Sequence, residues 1–378
     1  MQSTPRFESI YTRNRNSQGR HAVGEVFRML IPVPVCPPMT LKHLGGSRTQ
    51  DIMKMHGVSR TTVVNAIRQT FDGILQEYSI PPFPFEDEDK LQSLADGFRS
   101  KSTGGVIKHI VGVMDGYLLR ICKACIGKNT GINDPSKYYC RRKYYAINCQ
   151  VSCDSNRKIT SLSMLSPGAV PDTLAFLKSS LYRDLEMNKL PQRFGFAGDN
   201  AYPKPVMTPY TRAQMRDDEH GVKDNFNFYF SQLRIIIECV FGMLVNKFPI
   251  LESALKTRLM RTAVDTFVVC CIIHNLCVDE RLRNNDSLST REFPPGQRLV
   301  QSAQLRETGT LSQSDFEYVD LVDEVTAHCR SGAATNADES TPADAGTVDH
   351  EYPEMSRKEA IALEIARRGY TRPRAYDV

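Results

Sequence analysis

The sequence predicts an α/β core preceded by a small helical domain. Three observations carry this. Three strand-like runs at residues 106–121, 144–153 and 158–165 are followed by a helical stretch, a short strand and two long helices. Residues 40–100 keep a helical pattern that breaks at Pro81, Pro82 and Pro84 and ends near Gly104-Gly105. After about residue 285 the composition changes. The expected division is a helical domain at 1–104, a core at 105–285, and a largely disordered acidic tail at 286–378 with a short terminal helix.

The first twenty-odd residues are polar, contain Arg6, Arg13, Arg15 and Arg20, and show no apolar period, so they should be loose. Residues 48–55 read as a short helix and His56-Gly57-Val58 as a turn. Ser59 is then a good N-cap for a helix from Arg60 to about Phe71. This is the spacing of a helix-turn-helix over 48–71. Arg60, Thr61, Thr62 and Asn65 stand at the start of the recognition helix, and Arg68 suits a phosphate contact. Two helices about a glycine turn also occur in many proteins that never touch DNA.

The run at 106–121 is β-branched, aliphatic and too glycine-punctuated for a helix. Asp154-Ser155-Asn156-Arg157 separates the next two runs as a turn, which gives a hairpin. Residues 172–185 are helical in period, with Asp172 expected as a cap after Pro171. A strand at 193–197 stops at Gly198-Asp199. Residues 230–248 form an amphipathic helix and 260–281 a largely apolar one. In the tail, 331–354 offers only Val348 and Tyr352 for burial and should be disordered. Residues 357–368 are amphipathic and would dock on the core or on a partner.

Composition narrows the class only modestly. Hydrophobic residues at 41% and charged residues at 24% are ordinary for a globular protein, and a net charge of +5 barely favours nucleic acid. Eleven cysteines, odd in number and mostly in apolar runs, suit buried thiols in a reducing compartment. No basic n-region followed by a long apolar h-region opens the chain, and no stretch approaches 18 uncharged apolar residues. The expectation is therefore an intracellular protein with no membrane partner.

Three carboxylates sit where a carboxylate is costly. Asp115 lies in an apolar strand, Asp199 at the end of another, and Glu238 among Ile235, Ile236, Ile237, Val240 and Phe241. Each alone is explained by pairing to Arg or Lys. Together they suit hard divalent cations, which take oxygen ligands; two such ions can drive phosphodiester cleavage.

A series of blocks sharpens this reading. In order they are residues 112–116 (Gly-Val-Met-Asp-Gly), 137–148, 166–172 (Ser-Pro-Gly-Ala-Val-Pro-Asp), 198–203 (Gly-Asp-Asn-Ala-Tyr-Pro), 233–248 and 273–277. The sequence resembles the DDE-type transposases of the PIF/Harbinger group and their domesticated nuclease relatives over about residues 105–280. The resemblance implies an RNase H-like core, a mixed sheet flanked by helices. It assigns catalytic and metal-ligand roles to Asp115, Asp199 and Glu238, with Mg²⁺ or Mn²⁺, two ions, as cofactor. It further implies double-stranded DNA as partner, a Myb-like DNA-binding partner protein, a homo-oligomer and a nuclear location. Two departures leave the ligands intact: Tyr117-Leu118 stand where the family carries Thr-His, and Pro171 stands where His precedes Asp172. Both bear on how DNA sits over the site.

Arg234 and Lys247 would meet a phosphate or form a salt bridge with a carboxylate; the sequence leaves both open. His274-Asn275 reads as a hydrogen-bonded core pair. Cys122 and Cys125 would lie on opposite faces if the strand continues, which disfavours zinc. The rival to a metal-dependent endonuclease or transposase is a domesticated, non-catalytic DNA-binding or scaffold protein. A phosphoesterase for small substrates is poorly served by the helix-turn-helix.

Overall fold

A computed structural model describes residues 35–126, 132, 134–216, 218, 220–284 and 356–373. The loose N-terminus and the disordered stretch at 331–354 expected from sequence lie outside the described residues. The chain divides into two compact units. The first takes in the chain up to Ile80, Leu119–Pro135 and Gly242–Cys277; the second takes Pro81–Leu118, Ser136–Phe241 and the chain from Val278.

In the first unit, α1 (Cys36–Leu44), α2 (Thr49–His56) and α3 (Arg60–Glu77) pack around Cys36, Met39, Ile52, Val63 and Ala66. Helix α2 stops at Gly57, whose left-handed backbone (φ 63°, ψ 32°) glycine adopts without strain. Ser59 then caps α3, its Oγ accepting from Thr62 N at 3.2 Å. Helix α3 outruns its expected end at Phe71 because Gly73 is buried inside it; packing overrides the weak propensity of one glycine.

The same unit corrects the geometry expected of Cys122 and Cys125. The strand ends at Arg120 and a 3₁₀ turn, Lys123–Ile126, follows. The turn brings the two sulfurs to 3.8 Å, and both thiols donate to Thr257 O, at 3.0 and 3.1 Å.

The second unit is built on a four-stranded mixed sheet of order β3-β2-β1-β4, from β1 (Ile110–Arg120), β2 (Ala146–Cys153), β3 (Ile159–Pro167) and β4 (Gly195–Ala197). Strands β2 and β3 are antiparallel, while β1 and β4 run parallel with Val113 opposite Ala197. The β2–β3 turn is held by Asp154 Oδ1, which accepts from Asn156 N and Lys158 N, each at 2.8 Å. All eight residues of β2 are buried.

Helices pack on this sheet. α4 (Glu88–Lys101), α5 (Asp172–Leu177) and α6 (Ser180–Glu186) supply Leu91, Ala95, Phe176, Leu181 and Leu185 to a core with Val111, Met114 and Phe196. The single helix expected over 172–185 is two, because Ser179 caps a new one: its Oγ accepts from Tyr182 N at 3.1 Å. α7 (Val222–Lys247) and α8 (Met260–Arg283) come next in the chain, with Gly242–Cys277 belonging to the first unit, and each starts or runs beyond the bounds read from sequence. By length and composition each could cross a membrane, although most of its apolar window is buried inside the protein. Their uncharged runs stay well short of 18 residues, because Arg234 and Glu238 interrupt α7 and Asp265 and Asp279 interrupt α8.

A last helix, α9 (Arg357–Arg367), opens with a capping box between Ser356 and Glu359. It buries Ile361, Ala362 and Ile365 on the second unit. Arg357 Nη1 donates to Phe194 O at 2.8 Å, and Lys358 lies 3.8 Å over the Tyr210 ring while donating to Pro209 O.

Candidate active site

The parallel register of β1 and β4 places two carboxylates alike. Val113 faces Ala197, and two residues further along each strand direction stand Asp115 and Asp199. Asp115 therefore stands midway along β1, at the level where the shorter neighbour β4 has just ended and Asp199 follows. Glycines permit the close packing here. A methyl group on Gly112 would collide with the Phe196 ring, and one on Gly198 would lie 2.8 Å from the Tyr202 ring.

Asp115 Oδ1 accepts from Gly116 N at 2.7 Å. Its residue keeps partial exposure, yet the carboxyl is deep enough that loss of hydration dominates its titration. Burial, opposed by the Arg234 guanidinium and reinforced by the charges of Asp199 and Asp172, pushes the Asp115 carboxyl up to about 7. Asp199 Oδ1 accepts from Ala201 N at 2.8 Å, a turn that fixes the segment leading to Tyr202.

Asp172 is not the helix cap expected. Pro171 occupies the N-cap position of α5, and no side chain caps this end. A proline φ of −58° with extended ψ sets the entry, which leaves the Asp172 carboxylate to turn toward β2. There its Oδ1 accepts from Asn148 Nδ2 at 2.8 Å and Gln150 Nε2 at 3.2 Å. A methyl on Gly116 would strike Asp172 and lie 3.1 Å from Gln150 Nε2, so these groups pack directly against the Asp115 strand. Gln150 also accepts from Tyr202 OH at 2.7 Å. Burial first, then the charges of Asp115, Asp172 and Asp199, push the Tyr202 phenol well above its ordinary range. Tyr202 therefore stays neutral and serves as a hydrogen-bond donor.

Of the residues singled out from sequence, Asp115, Asp199 and Arg234 fall in this one electrostatic cluster. Arg234 is buried on α7, which favours the carboxylate-partner reading over a surface phosphate contact. Glu238 lies one turn further along the same helix, half-buried, with Oε1 shielded from solvent. Among the described residues no group of three or more His, Cys, Asp or Glu side chains is arranged to hold a metal ion. Lys247 ends α7 and belongs to the first unit. On α3, Arg60, Thr61, Asn65 and Arg68 are exposed, and Thr62 Oγ1 bonds Ser59 Oγ at 2.8 Å. His274 and Asn275 are buried in α8.

Gln150 was missed in the sequence. Its signal was there: Asn148 and Gln150 alternate on one face of an otherwise apolar strand, and buried amides need partners.

Residues 114–275 match the DDE superfamily endonuclease family. The matched stretch takes in Asp115, Asp172, Asp199, Tyr202, Arg234 and Glu238 and is less than half of the 378-residue chain. Similar curated proteins carry the name "Putative nuclease HARBI1". Those from Bos taurus and Homo sapiens are 22% identical over 232 residues, and that from Mus musculus 24% over 233. Each alignment covers 59% of this chain and 60% of the relative, so the chain spans about 60% of the length of the curated relatives it matches. A solved structure, the Mos1 transposase paired-end complex with left transposon end, aligns at 13% identity over 75% of this chain and 87% of that one. Its TM-score of 0.22 carries no argument about the fold.

Proposed function

We propose that the matched stretch cleaves DNA phosphodiester bonds with a divalent metal. The carrying observation is the crowding of negative charge at Asp115, whose buried carboxyl is pushed up by Asp199 and Asp172 against the opposing Arg234 guanidinium. Oxygen donors that crowd one another in this way fit a hard cation such as Mg²⁺ or Mn²⁺. Asp115 and Asp199 would hold it; Glu238, one turn beyond Arg234, is the third ligand that the family resemblance supplies. The metal pair, when bound, would lower the pKa of an attacking water and stabilise the leaving oxygen.

The protein's own part is to fix the carboxylates. The Gly116 amide orients Asp115, the Ala201 amide orients Asp199, and Arg234 limits the repulsion between them. The strand order, with antiparallel β2 and β3 beside parallel β1 and β4, supports an RNase H-like reading of the core. Helices α2 and α3, with Arg60, Thr61, Asn65 and Arg68 exposed, support a helix-turn-helix that holds duplex DNA. A Myb-like partner, a homo-oligomer and a nuclear location belong to the same reading.

A second reading is a DNA-binding protein without turnover, which the exposed Arg60, Thr61, Asn65 and Arg68 of α3 favour. Cleavage of labelled duplex DNA by the full chain in Mg²⁺, Mn²⁺ or EDTA, beside Asp115→Asn and Glu238→Gln, separates the two. Metal-dependent cutting lost in both variants upholds the nuclease. Salt-dependent binding with no cutting in any metal sinks it and leaves the binder.

A further inference from the structure

One segment of the matched stretch combines charge, aromatic surface and backbone strain without serving the carboxylate cluster. Residues 137–145 read Lys-Tyr-Tyr-Cys-Arg-Arg-Lys-Tyr-Tyr. They fold into a tight hairpin: Tyr139 bridges antiparallel to Tyr145, and Cys140 N donates to Tyr144 O at 2.9 Å. Lys143 N donates to Cys140 O at 2.9 Å, which closes a four-residue turn over Arg141 and Arg142.

Lys143 then sits at φ 62°, the left-handed position that a hairpin of this kind normally fills with glycine. A lysine there is strained, and strain kept in a surface turn points to use of the side chain. Arg141, Arg142 and Lys143 are all exposed, so three consecutive cations stand at the tip. Beneath them Cys140 is buried and anchors the turn. Tyr139 is 49% exposed and meets the Tyr145 ring edge-on at 5.3 Å, which leaves it held in place with surface to spare.

The base of the hairpin is tied to the candidate site. Ala169 N donates to Lys137 O at 2.9 Å, Gly168 N donates to Ala146 O at 2.8 Å, and Asn148 Nδ2 donates to Val170 O at 3.0 Å. Residues 168–170 lead directly into Asp172, and Tyr145 leads directly into β2, whose Asn148 and Gln150 bond Asp172. A strand gripped at the tip is therefore registered against the Asp115 cluster through a short, hydrogen-bonded path.

We infer that this hairpin is a DNA-backbone clamp: Arg141, Arg142 and Lys143 bind consecutive phosphates of the duplex that the site would cut, and Tyr139 packs on an adjoining sugar. The inference rests on the DNA reading given above and names the surface that would seat the substrate. Arginine forks suit phosphate oxygens, and such contacts set position rather than sequence preference.

The test is duplex binding by the full chain, followed by fluorescence anisotropy across a salt series. Each phosphate contact contributes about 0.9 to the slope of log affinity against log salt, so a variant with Arg141, Arg142 and Lys143 all changed to Ala should lose roughly 2.7 from it. Lys143→Gly guards against misfolding. It relieves the left-handed strain, so the variant should be at least as heat-stable as the wild type while its slope falls by about 0.9. An unchanged slope in both variants, with the wild type binding DNA, overturns the clamp and leaves the nuclease reading standing. A wild type that binds no duplex at any salt overturns both together.

Discussion

Asp115→Asn should make the protein more stable, and only above acidic pH. In the fold the carboxyl keeps its proton up to about pH 7, whereas in the unfolded chain it loses it near the ordinary aspartate value of 3.8. Between those values the folded state binds more protons, so stability falls as pH rises through that window. The span is about 3 pH units, each worth about 1.4 kcal/mol, so the charged form costs the fold about 4 kcal/mol above pH 7. Asparagine has no charge to bury and still offers an oxygen to Gly116 N. Loss of the negative neighbour of Arg234 offsets part of the gain, which makes about 4 kcal/mol an upper bound. Urea unfolding in EDTA at pH 4, 6 and 8 measures it. The variant should match the wild type at pH 4 and exceed it increasingly toward pH 8. A variant no more stable at pH 8, or a gap that ignores pH, would refute the argument that uncompensated charge is stored at this carboxylate. Added Mg²⁺ at pH 8 should then narrow the gap, by stabilising the wild type more than the variant.

Three further outcomes follow from the packing. Tyr202→Phe removes the donor to Gln150 Oε1 in a buried setting and should cost about 1–3 kcal/mol in chemical unfolding. Gly112→Ala drives a methyl into the Phe196 ring, itself packed against Phe83 at 4.9 Å. Overpacking of this kind should lower stability by about 1–3 kcal/mol, readable as a lower melting temperature. Ser59→Ala loses the cap of α3 and should cost about 1 kcal/mol, with hydrogen exchange rising first at Thr62.

Much of both units was legible in the sequence because the signals are local. The β2–β3 hairpin announces itself through two β-branched runs about Asp154-Ser155-Asn156-Arg157, and Ser59 marks the start of α3 through a hydroxyl at the right offset. Asp115 and Asp199 stand out because a carboxylate in or after an apolar strand has to be explained. What was not legible depends on partners far away in the chain. Asp172 looks like a cap from its neighbours alone; only the fold brings Asn148 and Gln150 beneath it. Cys122 and Cys125 looked divergent because nothing local shows that the strand ends at Arg120. The split at Ser179 hides within a helical period that both helices obey.

The docking of α9 bears on how the protein is handled in solution. β4 is only three residues long and lies at the sheet's outer end, where unpaired backbone groups would invite another chain. Met207 covers part of that end: its N–H donates to Phe196 O at 2.8 Å, and its carbonyl accepts from Gly198 N at 2.9 Å. Arg357 covers the neighbouring Phe194 carbonyl. A version shortened to end before Ser356 would uncover that carbonyl together with the apolar seat of Ile361 and Ile365. Self-association through the bared end would then be the first fault to appear, ahead of any loss of the carboxylate site.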